Sequence, residues 1–493
     1  MTVTATDTMP PPTSIKSQIS PAPSTGEDFA TVLARFASTL SFDDLAPEVI
    51  AAAKANIFDT LACAAAGSSA DAVGDTRALA LEWGGAPQAT ILAFGDKVPA
   101  HHAAWVNGTM AHARDYDDTH DAAVLHAGVS VVPAALAAAE LRGKVKGADF
   151  ISAVAAGLET ICRIGVATRI GIIESGFMYT PLFGHFAATV AAGRVLGLDE
   201  TQMINAIGIA YSQVAGNHQV TRDGALTKRM QPGFAAQSAL ISVQLAKRGV
   251  RGAQATFEGV DGFLRVYLHD RCDRDALRAG LGERFEFTAL SYKPYPCCRF
   301  NHTAIDAALI GRASAGFHPD RVRSIRVGLN HQAYEAVCTP VDVRKAPRTI
   351  VHAQFSIPFT VAAALIDGGV TLGHFDDPSI KRADILALAQ RVESYVDADL
   401  EREFGRTISP ALLHIEMIDG TTHDVRVDIP RGSPERPMSR ADFDAKAVDC
   451  FNRSARPLPP DAPIQLRNLV DNLESLEDVS ALVSVLLPVG NTR

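Results

Sequence analysis

The chain has no apolar run near the roughly 18–20 residues that span a bilayer. Its apolar stretches, VVPAALAAAEL among them, are short and broken by proline or charge, which argues against a membrane protein. Positive charge is not in excess either. Against 55 Asp and Glu there are 46 Lys and Arg, a formal net charge of −9, so nucleic acid is a poor partner. The seven cysteines (63, 162, 272, 297, 298, 338 and 450) are odd in number and lack framework spacing. Reduced thiols, and with them a cytoplasmic setting, are the expectation. The opening MTVTATDTMPPPTSIKSQISPAPSTGED lacks the apolar segment of a signal peptide, and its Pro, Ser and Thr content reads as a disordered tail over residues 1–26.

What is present is a long chain rich in small apolar residues. Its 493 residues, 47% hydrophobic and 20% charged, suffice for a large core. From 27 to about 275 the apolar spacing is helical, with segments expected at 130–142, 150–166, 185–197, 203–216 and 233–248. These segments are Ala-rich with Gly and Val interspersed, and several are apolar on both faces. They read as helices buried against each other. ATILAF (89–94) reads as a short strand.

The texture changes near 276. RFEFTALSYKPYPCC and RVRSIRVGLNHQAY are β-like, and LLHIEMIDGTTHDVRVDIP (412–430) reads as a hairpin turning at Asp419–Gly420. Helical stretches near 302–313 and 357–367 make residues 276–432 an α+β segment. Residues 433–493 are helical again, with a stripe of Leu466, Leu469, Leu473 and Leu476 expected to pack back on the first helices. The fold class is therefore mainly α: a large, discontinuous all-helical domain plus a smaller α+β lid.

Three stretches carry chemistry. HARDYDDTHDAAVLHAG (112–128) gathers three histidines and four aspartates. If residues 100–119 are helical, Asp115 and Thr119 share a face at i and i+4, and a turn at Val124–Leu125 returns His126 towards them. Histidine exchanges protons readily near neutral pH, and a carboxylate beside it fixes its tautomer. A solvated helix end, a metal site, and the Asp-Asp-x-x-Asp motif of helical isoprenoid synthases (DDTHD, 117–121) compete with that reading. In TRDGALTKRMQPGFAAQSA (221–239), Arg222, Lys228 and Arg229 precede a helix expected from near Gly233, a setting for an anion or simply a basic surface loop. In YKPYPCCRFNH (292–302), two prolines stiffen a loop carrying Lys293, Cys298, Arg299 and His302. The adjacent cysteines read as small buried residues. An anionic small molecule held between two domains would use all three stretches.

HARDYDDTHDAAVLHAGVSVVPAALAAAE, GALTKRMQPGFAAQSAL, YKPYPCCRFNHTAID, AQFSIPFTVAAALIDGGVT and LESLEDVSALVSVLL, in that order, resemble the MmgE/PrpD family from about residue 27 to 490. That family includes dehydratase, decarboxylase and epimerase activities on small carboxylic acids. The resemblance implies an all-helical domain with a smaller lid, a homodimer, no metal or other cofactor, and a site between the domains. It implies Asp115, Thr119, His126, Lys228 and Lys293 as site residues. His126 would move a proton, Asp115 would orient it, Lys228 and Lys293 (with Arg222) would hold carboxylates, and Thr119 would bond substrate. Met178 stands where many members have a histidine, and His185 lies seven residues on. Cys298 occupies the position of a second lid histidine found in the decarboxylases, with His302 nearby. Both departures count against decarboxylation, and Met178 counts against any one family reaction; a hydro-lyase like 2-methylcitrate dehydratase is the expectation, with a cis-aconitate decarboxylase or an iminodisuccinate epimerase as the alternatives. A non-catalytic carboxylate-binding paralogue is the reading from another class.

Overall fold

The computed structural model describes residues 26–490 apart from Arg406 and Ser409. Residues 1–25 of the tail read as disordered lie outside the described residues. The architecture is mainly α, a large helical domain with a smaller α+β domain.

The larger domain is a stack of close-packed helices, chiefly Pro47–Gly67, Ala100–His112, Gly128–Arg142, Gly147–Ala167, Tyr179–Val195 and Thr227–Lys247. Small residues set the spacing. A Cβ on Gly233 would fall 2.4 Å from the carbonyl oxygen of Trp105, and one on Gly108 would fall 2.9 Å from the Cα of Gly233. Helices Ala100–His112 and Thr227–Lys247 therefore touch backbone to backbone, which only glycine permits at that density. Gly108 lies one turn before His112, and Lys228 opens the other helix, so this contact fixes two site residues relative to each other.

Several boundaries differ from the sequence reading. The helix at 100–119 stops at His112, and the strand at 89–94 shrinks to Ala89–Thr90. The helix expected from Gly233 begins at Thr227, because Pro232 sits inside it and gives up a single backbone bond. Around 286–291 there is a 3₁₀ turn and a two-residue strand in place of a longer one. Pro47–Gly67 and Gly147–Ala167, contrary to the reading of short apolar runs, are long and apolar enough by length and composition to cross a bilayer. Both are packed into the core, with 72% and 94% of their apolar windows buried.

The C-terminal residues join the same core: Ala447, Phe451, Leu466, Leu473 and Leu482 are buried there, with Leu469 and Leu476 partly buried against it. Their helix ends at Asp471, and a 3₁₀ turn and a second helix, Ser480–Val485, follow. The approach is tight. A Cβ on Gly147 would meet the carbonyl oxygen of Leu473 at 1.6 Å.

The smaller core, drawn from residues 295–427, lies between a four-stranded sheet and the helices His302–Arg312 and Ile357–Asp367. The strand order is Val392–Val396, Val322–Leu329, Ala411–Met417, Thr422–Val427, the first pair parallel and the others antiparallel. The hairpin turns at Asp419–Gly420, where Gly420 has φ +84° and a side chain would be strained. Ala411, Leu413, Ile415 and Met417 alternate inward, which is the period that marks a half-buried strand.

Replacing Gly233 by Val is expected to cost about 1–3 kcal/mol or more, since neither backbone can yield cheaply. Urea unfolding should show a lower midpoint with unchanged slope, and an unaltered midpoint would refute the backbone contact.

Candidate active site

After His112 the chain leaves the helix. Asp115 (φ +52°) and Val124 (φ +53°) adopt left-handed conformations, tolerable for Asp and strained for a β-branched residue. Thr119–His120 pairs antiparallel with Leu290–Ser291, and the N–H of His120 donates to the carbonyl of Leu125 at 2.8 Å. Residues 113–127 thus form a folded loop, not a helical face, and the i, i+4 relation of Asp115 and Thr119 does not exist. The next helix begins at Gly128, where Asp118 accepts the backbone N–H groups of Ala127 (2.7 Å) and Gly128 (3.0 Å). Burial, and then Asp117 beside it, push the Asp118 carboxyl up to about 6.

Within this loop Asp115 is shared by two lysines. Lys228 Nζ lies 2.7 Å from its Oδ2, and Lys293 Nζ lies 2.5 Å from its Oδ1 and 3.0 Å from its carbonyl oxygen. Burial opposes the Asp115 carboxylate, but the two ammonium groups outweigh it and hold the acid far below its usual range. For Lys293 burial is again the largest effect, and Asp115 overrides it, so its ammonium is stabilised. Lys228 comes from the helical domain and Lys293 from the loop entering the smaller one. The triad carries one net positive charge where the domains meet.

Asp117, fully buried, serves two imidazoles. Its Oδ2 is 2.9 Å from Nδ1 of His112 and 2.9 Å from Nδ1 of His126. His126 Nδ1 also lies 2.7 Å from the carbonyl oxygen of Asp118. Both acceptors require Nδ1 to carry the proton, leaving Nε2 as the basic nitrogen. The carboxylate that lies against Nδ1 of His126 is thus Asp117, whereas Asp115 is paired with the two lysines. Burial holds His112 neutral, its imidazole pushed down to about 4. His112, Asp117 and His126 also place three potential metal donors within 4.8 Å of one another. The His112 contact is a hydrogen bond to Asp117, whereas the Nδ1–H of His126 is directed at the Asp118 carbonyl and meets Asp117 as a close charge contact.

A small cavity of about 60 Å³ opens beside these groups. Asp115, Thr119, His126, Met178, Lys228 and Cys298 line it, together with an apolar wall that includes Ile172, Phe300, Phe355 and Ile408. Lys293 stands behind Asp115. Thr119 gives its hydroxyl to Asp121 (2.9 Å), and Asp121 in turn is gripped by Arg299 at 3.0–3.2 Å. Burial pushes the Cys298 thiol up to about 11, so it is neutral.

Besides Lys293, three sequence candidates lie outside the lining. Arg222 is exposed on a short helix. His185 donates Nδ1–H to the carbonyl of Pro181 at 2.7 Å inside its own helix, and burial pushes its imidazole down to about 4. His302 is buried between Arg299 and the carbonyl of Cys297. The residues that sequence reasoning missed are Asp117 and His112. Both lie in the quoted cluster, but extending the helix to 119 hid their convergence.

The loop is also braced from the far end of the chain. Lys446, in helix Arg440–Asn452, donates to the carbonyl of Tyr116 at 2.6 Å and pairs with buried Asp59 at 2.6 Å.

Comparisons with known proteins agree in kind with this architecture. The MmgE/PrpD N-terminal domain matches residues 31–274, and the MmgE/PrpD C-terminal domain matches residues 295–460. A cis-aconitate decarboxylase of Aspergillus terreus is 27% identical over 477 residues, 92% of this chain and 95% of the relative. A cis-aconitate decarboxylase of Homo sapiens is 26% identical over 471 residues, 93% and 94% of the two chains. A cis-aconitate decarboxylase-like protein of Aspergillus oryzae is 26% identical over 476 residues, 92% and 96%. The chain belongs to the MmgE/PrpD family.

Proposed function

We propose that this protein is a lyase in which His126 moves a proton beside a carboxylate of a small di- or tricarboxylate. The observation that carries the reading is the pairing of a fixed imidazole with a cationic triad in one apolar cavity. Nδ1 of His126 is tied to Asp117 and to the Asp118 carbonyl. Nε2 is left to exchange the proton, and Lys228, with Lys293 behind Asp115, supplies positive charge for a carboxylate and for enolate charge developing next to it.

The relatives named above direct the finer reading to decarboxylation of an unsaturated tricarboxylate. One carboxylate leaves as carbon dioxide, and the electron pair of the broken C–C bond forms a new C=C. The former alkene takes a proton at its far carbon from Nε2 of the protonated His126 ring, and solvent then restores that proton. The apolar wall favours that loss, because a carboxylate stripped of water is held less firmly than the delocalised charge that replaces it. A specific observation keeps dehydration as the second reading. Cys298, a neutral thiol, lines the cavity where the family resemblance gives decarboxylases a histidine. In a hydro-lyase His126 would instead remove the proton α to a carboxylate as hydroxide departs.

Proton NMR in deuterated buffer separates the two. Incubation of the full chain with cis-aconitate should release carbon dioxide and place one deuterium in the product. Loss of water from methylcitrate or citrate without carbon dioxide would assign the hydro-lyase. No change in these acids or in iminodisuccinate would remove the lyase reading.

Substituting His126 by Ala should lower kcat by about 10²–10⁴-fold, the usual worth of a positioned acid–base group. Asp117→Asn should also cut kcat, since the neutral amide removes the negative charge that lies against both imidazoles. Both variants should keep the wild-type circular dichroism spectrum. Near-wild-type turnover in Asp117→Asn would mean that this charge does not act on His126.

We also infer a self-pairing face. Trp83 stacks on Trp105 at 5.5 Å between ring centroids and Trp105 on Phe234 at 5.8 Å, while Trp83 is 55% and Phe234 40% exposed. Leu79, one turn before Trp83 on the same helix, extends the exposed apolar surface. Large exposed aromatic strips of this kind mark interfaces. Sedimentation should give a dimer for the wild type and a monomer for Trp83→Ser combined with Phe234→Ser; a monomeric wild type would rule the interface out.

A further inference from the structure

Arg344 lies in the short helix Val341–Lys345 of the smaller domain and is 2% exposed. Nε donates to the carbonyl of Thr339 at 2.8 Å and Nη2 to the carbonyl of Ala336 at 3.3 Å. Nη1 is buried without any hydrogen-bond partner. Among the described residues no salt bridge joins this guanidinium to a carboxylate, and burial lowers its pKa. An uncompensated buried cation is costly, and an anion placed against it would relieve the cost.

Arg344 is not on the lining of the cavity already described but stands behind its wall. Ala336, whose carbonyl holds Nη2, lines that cavity, and so does Cys298. His218 is also on the wall, in the field of Arg222, Lys228 and Arg344. Burial first, and then those three cations, push its imidazole down to about 4, so it is neutral and offers a hydrogen bond without adding charge. His352, from helix Ile350–Gln354, adds a second unpartnered atom, a buried Nδ1, beside the same guanidinium. These groups come from both domains.

We propose that Arg344, with His218 on the cavity wall, is a second carboxylate subsite, so that the ligand is a polycarboxylate gripped at two separate cationic points. The proposal rests on the polycarboxylate reading above and deepens it. One carboxylate sits at the Lys228–Asp115–Lys293 triad, and a distal one reaches Nη1 of Arg344. The cavity offers only about 60 Å³ in this state. That is room for a few waters, and a tricarboxylate of about a dozen non-hydrogen atoms needs more. Seating it displaces the wall at Ala336, to which Arg344 is already bonded. Arg344 is then a residue that sets specificity for ligand length; it does not take part in proton transfer.

Tricarballylate, a saturated tricarboxylate with no alkene or hydroxyl to react, is the probe. Calorimetry on the full chain should show that Arg344→Gln weakens its binding about 10–100-fold, the worth of a charge-assisted hydrogen bond. Arg344→Lys should recover part of that loss, a rescue that a purely structural arginine would not give. Binding within twofold of wild type in a folded Arg344→Gln would overturn the subsite while leaving the His126 reading intact. Failure of the wild-type chain to bind tricarballylate would overturn both. Where Arg344→Gln does not fold, a crystal structure of the wild-type chain with tricarballylate decides. A carboxylate oxygen at hydrogen-bond distance from Nη1 is expected, and a ligand seated elsewhere refutes the proposal.

Discussion

The structure depends on one buried carboxylate held between two ammonium groups. Asp115 accepts Lys228 from the helical domain and Lys293 from the loop that leads into the smaller domain. Each ion alone would be very costly at that depth, and removal of one partner from such a set generally costs about 3–5 kcal/mol. The triad therefore cannot be separated cheaply into its domains. It holds the left-handed turn at Asp115 in place, brings the loop entering the smaller core against the helical domain, and leaves one net positive charge at the cavity. The strain at Asp115 and Val124 persists because this ion set and the strand pairing with Leu290–Ser291 over-determine the loop.

A second constraint is geometric. The helices that deliver His112 and Lys228 meet at Gly108 and Gly233 without intervening side chains. Packing at that distance gives the backbone little freedom to drift, so the imidazole pair and the lysine are placed by the scaffold before any ligand arrives. Preorganisation of this kind is what lets a few charges act strongly in an apolar cavity.

Much of the architecture is legible in the sequence for physical reasons. Ala-rich segments apolar on both faces can only be buried helices, and Asp419–Gly420 between alternating apolar residues can hardly be anything but a hairpin. His126, Lys228 and Lys293 stand out because titratable groups are conspicuous in so apolar a chain. The loop between His112 and Gly128 is not legible. Its conformation follows from pairing with residues far away in sequence and from ion pairs to other elements, so local periodicity mispredicts it as helix. That error placed Asp115 and Thr119 on one helical face and hid the approach of Asp117 to His112 and His126. Arg222 looks similar to Lys228 in the sequence, yet one is exposed and the other buried. Arg222 ends a separate short helix, whereas Lys228 lies in the first turn of the long helix whose start Pro232 masked.

Lys446 carries a consequence for how the protein is made. Its ammonium holds the backbone of Tyr116, 330 positions earlier, together with Asp59. During synthesis the loop bearing the imidazoles leaves the ribosome long before the side chain that braces it exists. The helical stack can assemble as it emerges, but its centre waits for nearly the whole polypeptide. Competence is thus withheld until translation is almost complete, and a nascent chain stalled before that helix lacks the brace.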